Sequence, residues 1–182
     1  MNMRQIISSL IIGTVLISTA NHVQAQSRRP SGVASLGEMG CQTVASDGEY
    51  KNVNEDIPIG REIFRAVAYL GSSWGGIDRD NPTKVACRLA AVNAAPQFKT
   101  LTLSFGLSEN SNHIDGSVIV RLSVYKDGNF YGEQTISRGE KIRWPIDVTN
   151  TRSLALETEC IRLKQNSVYC PAIWIVEDVL RK

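Results

Sequence analysis

The feature that most constrains the fold is an alternation of apolar and small or polar residues in the second half of the chain. Leucine or phenylalanine occupies every second position from 101 to 107, and valine or leucine does so from 118 to 124. A period of two places alternate side chains on opposite faces of a strand, so each segment predicts a strand with one buried face. The pair Asp127-Gly128 follows the second segment and tolerates the positive φ of a tight hairpin turn. Residues 130–136 are then expected to form the partner strand.

Shorter apolar segments extend this pattern over the rest of the chain. Strands are predicted at 85–89, 142–148, 153–160 and 169–176, whereas 61–70 fits a strand or a short helix equally well. Seven or eight short strands separated by turn residues, without a convincing amphipathic helix, are typical of an antiparallel β-sandwich. We therefore expect an all-β fold, a sandwich or jelly roll.

The first 25 residues have the features of an export signal. Arg4 precedes an apolar run at 6–17, and Val23-Gln24-Ala25 offers small residues at a cleavage site, which predicts a signal peptide ending at Ala25. A spanning anchor needs about 20 apolar residues, and polar residues interrupt this run too early. We therefore predict a secreted or periplasmic bacterial protein with no membrane insertion after cleavage. Residues 26–40 are rich in Arg, Ser, Gly and Pro and predict a flexible linker, followed by one domain at 41–182.

The four cysteines all follow the predicted signal peptide, and export permits disulfides. Four cysteines allow three connectivities. Cys160 and Cys170 flank a short polar connection between two predicted strands, so their closeness favours a local bridge, which leaves Cys41 with Cys87. A zinc site would need a Cys-x-x-Cys pair or a Cys/His cluster, and the sequence has neither.

Charge and motifs argue against several classes of function. Twenty basic residues against 18 acidic ones leave a net charge of +2, too little to attract nucleic acid or anionic lipid over a distance. His113 is the only histidine after residue 25, and the nucleophile-elbow, Walker and dinucleotide motifs are absent. Glu157 and Glu159 fall on one strand face, where a solvated surface explains them, and the Asp/Asn cluster at 78–81 suits a turn better than calcium. We expect no catalytic residue, no metal and no cofactor.

Loop residues are the candidates for binding a ligand. Sugars offer apolar C–H faces that stack on aromatic rings, and hydroxyls that side-chain amides, carboxylates and imidazoles bind. Trp74 lies in a glycine-flanked loop and is the first candidate platform, although it fits a plug at one end of the sandwich equally well. The polar loop at 109–115 offers further ligand-binding candidates: Asn112, His113 and Asp115. Trp174 alternates with apolar residues and is expected in the core, whereas Trp144 fits either rim or core.

From Phe98 to Val179 the sequence resembles the NPCBM family, the novel putative carbohydrate-binding module found beside glycoside hydrolases. The resemblance lies in the strands at 98–107 and 116–124, the Asp127-Gly128 hairpin with Tyr131 beyond it, the segment 145–156, and the late Trp174. It implies a galactose-binding-like sandwich that binds a glycan or polysaccharide without cutting it. The alternative is a structural or protein-interaction sandwich of the cell envelope, with an envelope protein as partner and no bound sugar.

Overall fold

A computed structural model describes residues 30–45, 48–72 and 76–182, and in these ranges the chain is almost entirely β-strand, as predicted. The predicted signal peptide at 1–25 lies outside the described residues. The strands are β1 Val33–Ser35, β2 Gln42–Ala45, β3 Gly48–Ile59, β4 Glu62–Ser72, β5 Gly76–Asp78, β6 Thr83–Arg88, β7 Thr100–Leu107, β8 Ile119–Lys126, β9 Asn129–Ser137, β10 Lys141–Asp147, β11 Ser153–Arg162, β12 Tyr169–Pro171 and β13 Ile173–Arg181. A 3-10 helix, Leu36–Met39, is the helical element of the described ranges, and no helix there could cross a membrane.

The strands form two large antiparallel sheets and one small one. The first sheet has the order β10-β7-β13-β4-β3, with β1 added to the free end of β13, and the second has the order β2-β6-β11-β8-β9. In the third sheet β5 pairs with β12. All the strand pairings in the described ranges are antiparallel, which confirms the predicted antiparallel β-sandwich.

The core is built from the inward positions of the alternating strands. The residues at the alternate positions predicted for β7 and β8 are fully buried. Leu154 and Leu156 of β11 and Ile173 and Ile175 of β13 join them. Trp174 takes the opposite position on β13, is half-buried, and packs into a smaller apolar cluster on the outer face of the first sheet. Trp174 thus packs against this smaller core cluster rather than between the two large sheets, because its two isoleucine neighbours occupy the inward positions.

The predicted hairpin between β8 and β9 is confirmed. Lys126 pairs with Asn129, and the two residues between them, Asp127 and Gly128, have φ values of 47° and 82°. The carboxylate of Asp127 also accepts hydrogen bonds from the backbone N–H groups of Arg152 and Ser153, at 3.0 and 2.8 Å. The turn is thus fixed to the start of β11.

Two segments differ from what their sequence patterns suggest. The ambiguous segment at 61–70 is strand β4, which pairs with β3 on one side and β13 on the other. Its second half is buried almost continuously, so it lacks the alternation that marks a strand with one exposed face. Residues 48–59 carry a polar run, yet they form the long strand β3. The polar residues are tolerated there because β3 is an edge strand whose middle is exposed to solvent.

The predicted linker at 26–40 is wrong for its last residues. Val33–Ser35 form β1, and the side chain of Leu36 is fully buried in the main core. The buried Asp178 of β13 holds this segment in place. Its Oδ2 accepts hydrogen bonds from Ser35 Oγ at 2.6 Å, Gly37 N at 3.0 Å and Tyr50 Oη at 2.8 Å. The burial of Leu36 and these hydrogen bonds fix a segment whose composition is that of a tether.

Both predicted disulfides are present. Cys41 is bonded to Cys87, which links the segment before β2 to β6, and Cys160 is bonded to Cys170, which links β11 to β12. Their sequence separations are 46 and 10 residues. The first bridge fixes an edge of the second sheet, and the second fixes the small third sheet.

Candidate functional site

A polar pocket opens where the third sheet meets the loops at one end of the sandwich. We call it the loop-edge pocket. Its volume is about 120 Å³, and it is lined by Gly48, Ser72, Gly76, Asp78, Asn81, Thr83 and Tyr169. The lining side chains are hydroxyl, amide, carboxylate and phenol groups, so the pocket suits a ligand that both donates and accepts hydrogen bonds.

The third sheet fixes two sides of this pocket. Tyr169 of β12 lies opposite Asp78 of β5 in the strand register, and Cys170 lies opposite Ile77. The side chains of Ile77 and Cys170 are fully buried in the main core, and the disulfide to Cys160 anchors β12 to β11. Tyr169 and Asp78 therefore project from a short but firmly held strand pair.

The floor of the pocket depends on a glycine. A Cβ atom on Gly48 would lie 2.0 Å from Thr83 Oγ1 and 2.3 Å from its methyl carbon, which no real side chain tolerates. The rim is held by Ser72, whose hydroxyl donates to the carbonyl of Gly76 at 2.9 Å and accepts from its N–H at 3.3 Å. The two hydrogen bonds fix Ser72 against Gly76, and Gly48 leaves room for Thr83 where any larger residue would not.

His113 lies next to the pocket, against its tyrosine. The imidazole meets the ring of Tyr169 edge-on, with centroids 5.7 Å apart, and its Nδ1 is 3.4 Å from Ser167 Oγ. The Ser167 hydroxyl donates to the Tyr169 carbonyl at 2.8 Å and accepts from the Tyr169 N–H at 3.2 Å. The imidazole is thus held between the Tyr169 ring and the Ser167 hydroxyl.

Asp78 gives the pocket its charge. Its Oδ1 accepts a hydrogen bond from the N–H of Asp80 at 2.9 Å and so forms the turn that the sequence predicts at 78–81. Asn81 at the end of this turn also lines the pocket, and none of the described lining residues is basic. The lining therefore favours neutral ligands over anionic ones. In the described ranges no three His, Cys, Asp or Glu side chains are grouped so that they could hold a metal ion.

The four ligand-binding residues predicted from sequence have different positions. His113, Asn112 and Asp115 are all absent from the lining, but His113 contacts the lining residue Tyr169. The Asn112 carbonyl accepts a hydrogen bond from Lys164 Nζ at 3.1 Å, and Asp115 Oδ1 accepts from the N–H and hydroxyl of Ser117 at 2.8 and 2.6 Å. Trp74 lies outside the described residues. In the sequence it falls between Ser72 and Gly76, which both line the pocket.

Sequence reasoning missed Ser72, Thr83 and Tyr169. Each lies at the end or start of a strand and carries no local signal of a binding role. Asp78 and Asn81 were identified only as a turn. The one sequence clue was Cys170, because a disulfide next to Tyr169 marks a segment whose position is fixed.

Comparison with solved structures finds carbohydrate-binding modules. The CBM51 of a Clostridium perfringens GH95 protein, solved with methyl-galactose, matches with a TM-score of 0.57 and 11% identity, over 81% of this chain and 99% of that one. The fold is that of these CBM51 modules. CBM51-2 and INT domains of C. perfringens ZmpB, solved with GlcNAc, match with a TM-score of 0.56 and 11% identity, over 82% of this chain and 31% of that one.

A third structure agrees with the first two. It contains the M60 catalytic domain of C. perfringens ZmpB with CBM51-1 and CBM51-2, and it matches with a TM-score of 0.53 and 11% identity, over 82% of this chain and 15% of that one. No protein-family model matches the chain, and no curated protein does. At identities this low the likeness establishes the fold, a β-sandwich, and leaves ligand recognition to the residues of the site.

Proposed function

We propose that this protein is an exported, non-catalytic carbohydrate-binding module that holds one neutral sugar residue at the loop-edge pocket. The observation that carries the proposal is the combination of polar side chains around Asp78 with the paired rings of Tyr169 and His113, at the loop edge of a fold shared with CBM51 modules. In this proposal Trp74 is the stacking platform, and the chain is a relative of the NPCBM family.

The size and charge of the pocket support this class of ligand. About 120 Å³ is well below the roughly 300 Å³ at which sites for drug-sized ligands begin, so the pocket suits a single small polar ring. The Asp78 carboxylate accepts hydrogen bonds from sugar hydroxyls, whereas an anionic sugar would be repelled by it. Methyl-galactose and GlcNAc, the sugars with which two of the CBM51 structures were solved, are both neutral, and they are the first ligands to test here.

Export agrees with the two disulfides, which form and persist in oxidising compartments. A binding module of the periplasm or of the cell exterior fits the predicted signal peptide. An envelope protein partner is the alternative interpretation.

Calorimetric titration with methyl-galactoside and with N-acetylglucosamine tests the proposal. We expect Asp78→Asn to weaken binding about tenfold, because a hydrogen bond to a charged group contributes about 1.5–3 kcal/mol. We expect Trp74→Ala to weaken binding as well, because it removes the stacking ring. Asn112→Ala is the matched control from the neighbouring loop, and it should bind as the unmodified protein does. Absence of binding across these sugars and a broad glycan array would refute the proposal, as would equal losses in the control.

A further inference from the structure

A second concave surface lies at the β2 edge of the second sheet, and it shares no lining residue with the loop-edge pocket. A cleft of about 370 Å³ is lined by Met39, Gly40, Gln42, Ala86, Cys87, Arg88 and Ser153. From this cleft a row of paired residues crosses the sheet. Ala86 lies opposite Gln42 on one side and Ala155 on the other, Ala155 lies opposite Tyr125, and Tyr125 lies opposite Phe130.

These five residues form one row that crosses all five strands. We call the row from Gln42 to Phe130, with the cleft at its first end, the outer groove. Neighbouring strands are about 4.8 Å apart, so the four steps from β2 to β9 span roughly 19 Å. The two alanines leave a low floor in the middle, and the aromatic residues stand at the far end.

The aromatic end is open to solvent. Phe130 is 59% exposed, and its ring meets that of Tyr125 edge-on with centroids 5.7 Å apart. Burial, followed by the nearby Glu157 carboxylate, raises the pKa of Tyr125, and its protonated hydroxyl donates to Glu157, so the phenol oxygen remains as an acceptor for a ligand hydroxyl. An exposed ring beside a fixed hydroxyl suits a sugar, whose C–H face stacks while its own hydroxyls bond.

Charged side chains border the groove and balance one another. Lys84 pairs with Glu157 at 2.9 Å, and Arg121 pairs with Glu159 and, at 3.7 Å, with Glu133. Together with Arg88 at the cleft these are three basic and three acidic groups. This balance favours a neutral partner over a nucleic acid or an acidic polymer.

We propose that the outer groove is a second binding surface, which takes an extended stretch of neutral glycan across the strands. The inference rests on the proposed function, because it assigns the same class of ligand, but it concerns different residues. The loop-edge pocket holds a single sugar residue, whereas the outer groove contacts several along a chain. The two sites together raise the affinity for a polymer, because binding at one site increases the effective concentration at the other.

Two variants address the outer groove without touching the core. Phe130→Ala removes the exposed ring, and Ala155→Arg fills the floor. Ile63→Ala, at an exposed position on the first sheet, is the matched control. Each protein is titrated with methyl-galactoside and galactan, and with N-acetylglucosamine and its longer oligomers. We expect both groove variants to bind the longer chains roughly tenfold more weakly, the loss of about 1.4 kcal/mol of binding, and to bind monosaccharides unchanged.

A second measurement isolates the outer groove. In the Trp74→Ala protein, amide NMR signals of Ala86, Tyr125 and Ala155 should shift on addition of the longer chains and stay fixed with monosaccharides. Unchanged polymer binding in both groove variants, or an equal loss of monosaccharide binding, would overturn the inference while the loop-edge proposal stands. If the unmodified protein binds none of these sugars, both proposals fail. Shifts caused by a protein from envelope extracts, with no response to glycans, would identify a protein surface instead.

Discussion

The loop-edge pocket and the outer groove are built in different ways. The pocket collects residues from the ends of strands far apart in the sequence, such as Gly48, Asp78 and Tyr169. The groove takes its residues from consecutive register positions on neighbouring strands, as in the step from Ala155 to Tyr125. The pocket therefore depends on how loops and the third sheet are held, whereas the groove depends on the second sheet and on the segment that the Cys41–Cys87 bridge fixes to it.

This difference predicts that a substitution can abolish binding at one surface without affecting the other. A disulfide supports each of them. Cys160–Cys170 holds the strand that carries Tyr169, and Cys87 of the other bridge lines the cleft of the groove. Damage to one surface should leave the other in place, as long as the core between the sheets is intact.

The largest expected effect comes from removing the disulfides one at a time. Replacing Cys41 and Cys87 by alanine should lower the free energy of unfolding by about 4 kcal/mol, and replacing Cys160 and Cys170 by about 3 kcal/mol, because the longer loop gains more entropy when it is released. The first change should weaken polymer binding, and the second should weaken monosaccharide binding. Denaturant unfolding and calorimetric titration measure the two quantities. Loss of both kinds of binding in both variants would show that the surfaces are not independent.

A smaller effect is expected at the floor of the pocket. Gly48→Ala would place a methyl group against Thr83, and overpacking of this kind costs about 1–3 kcal/mol. Thermal unfolding should show the loss, and monosaccharide binding should weaken while the response of the groove to long chains stays. Adding Thr83→Ala should restore part of the stability. Gly116→Ala, at a loop position with open space around it, is the control, and a similar loss there would contradict the explanation.

The smallest effect concerns Asp115. The hydroxyl of Ser117, followed by its backbone N–H, lowers the pKa of Asp115. A carboxyl whose pKa is lowered by folding contributes stability above its unfolded value, near pH 4, and this stability disappears as the pH falls through the folded value. Asp115→Asn should therefore flatten the pH dependence of the melting temperature below about pH 4 and leave sugar binding unchanged. A loss of binding would instead make Asp115 a ligand-binding residue.

The fold was largely predictable because its main strands carry a local pattern. The alternation at 101–107 and 118–124 marks the inward faces of β7 and β8, and Asp127-Gly128 marks the turn between β8 and β9. Strands β3 and β4 were harder to predict from the sequence, for opposite reasons. The middle of β3 is exposed at a sheet edge, and the second half of β4 is buried on both faces, so neither shows a clear period of two.

The candidate site was predictable only in part. His113 stood out because histidine is rare in this chain, and it does contact Tyr169. Ser72, Thr83 and Tyr169 could not be found, because their meeting depends on the third sheet, whose strands of three residues each are too short to show a period. Asp115 stays a prediction, since an aspartate that forms a turn has the same sequence signature as one that binds a ligand.

The pairing of β1 with the end of β13 has a mechanical consequence. Val33 lies opposite Arg181, and the N–H of Lys182 donates to the carbonyl of Gly32 at 3.0 Å, so both ends of the described chain emerge side by side. A force that pulls these ends apart would break the β1–β13 hydrogen bonds one after another, because it acts on the outermost pair first instead of on all the pairs at once. After these backbone bonds, the force would act on the hydrogen bonds that Ser35 and Gly37 donate to the Asp178 carboxylate.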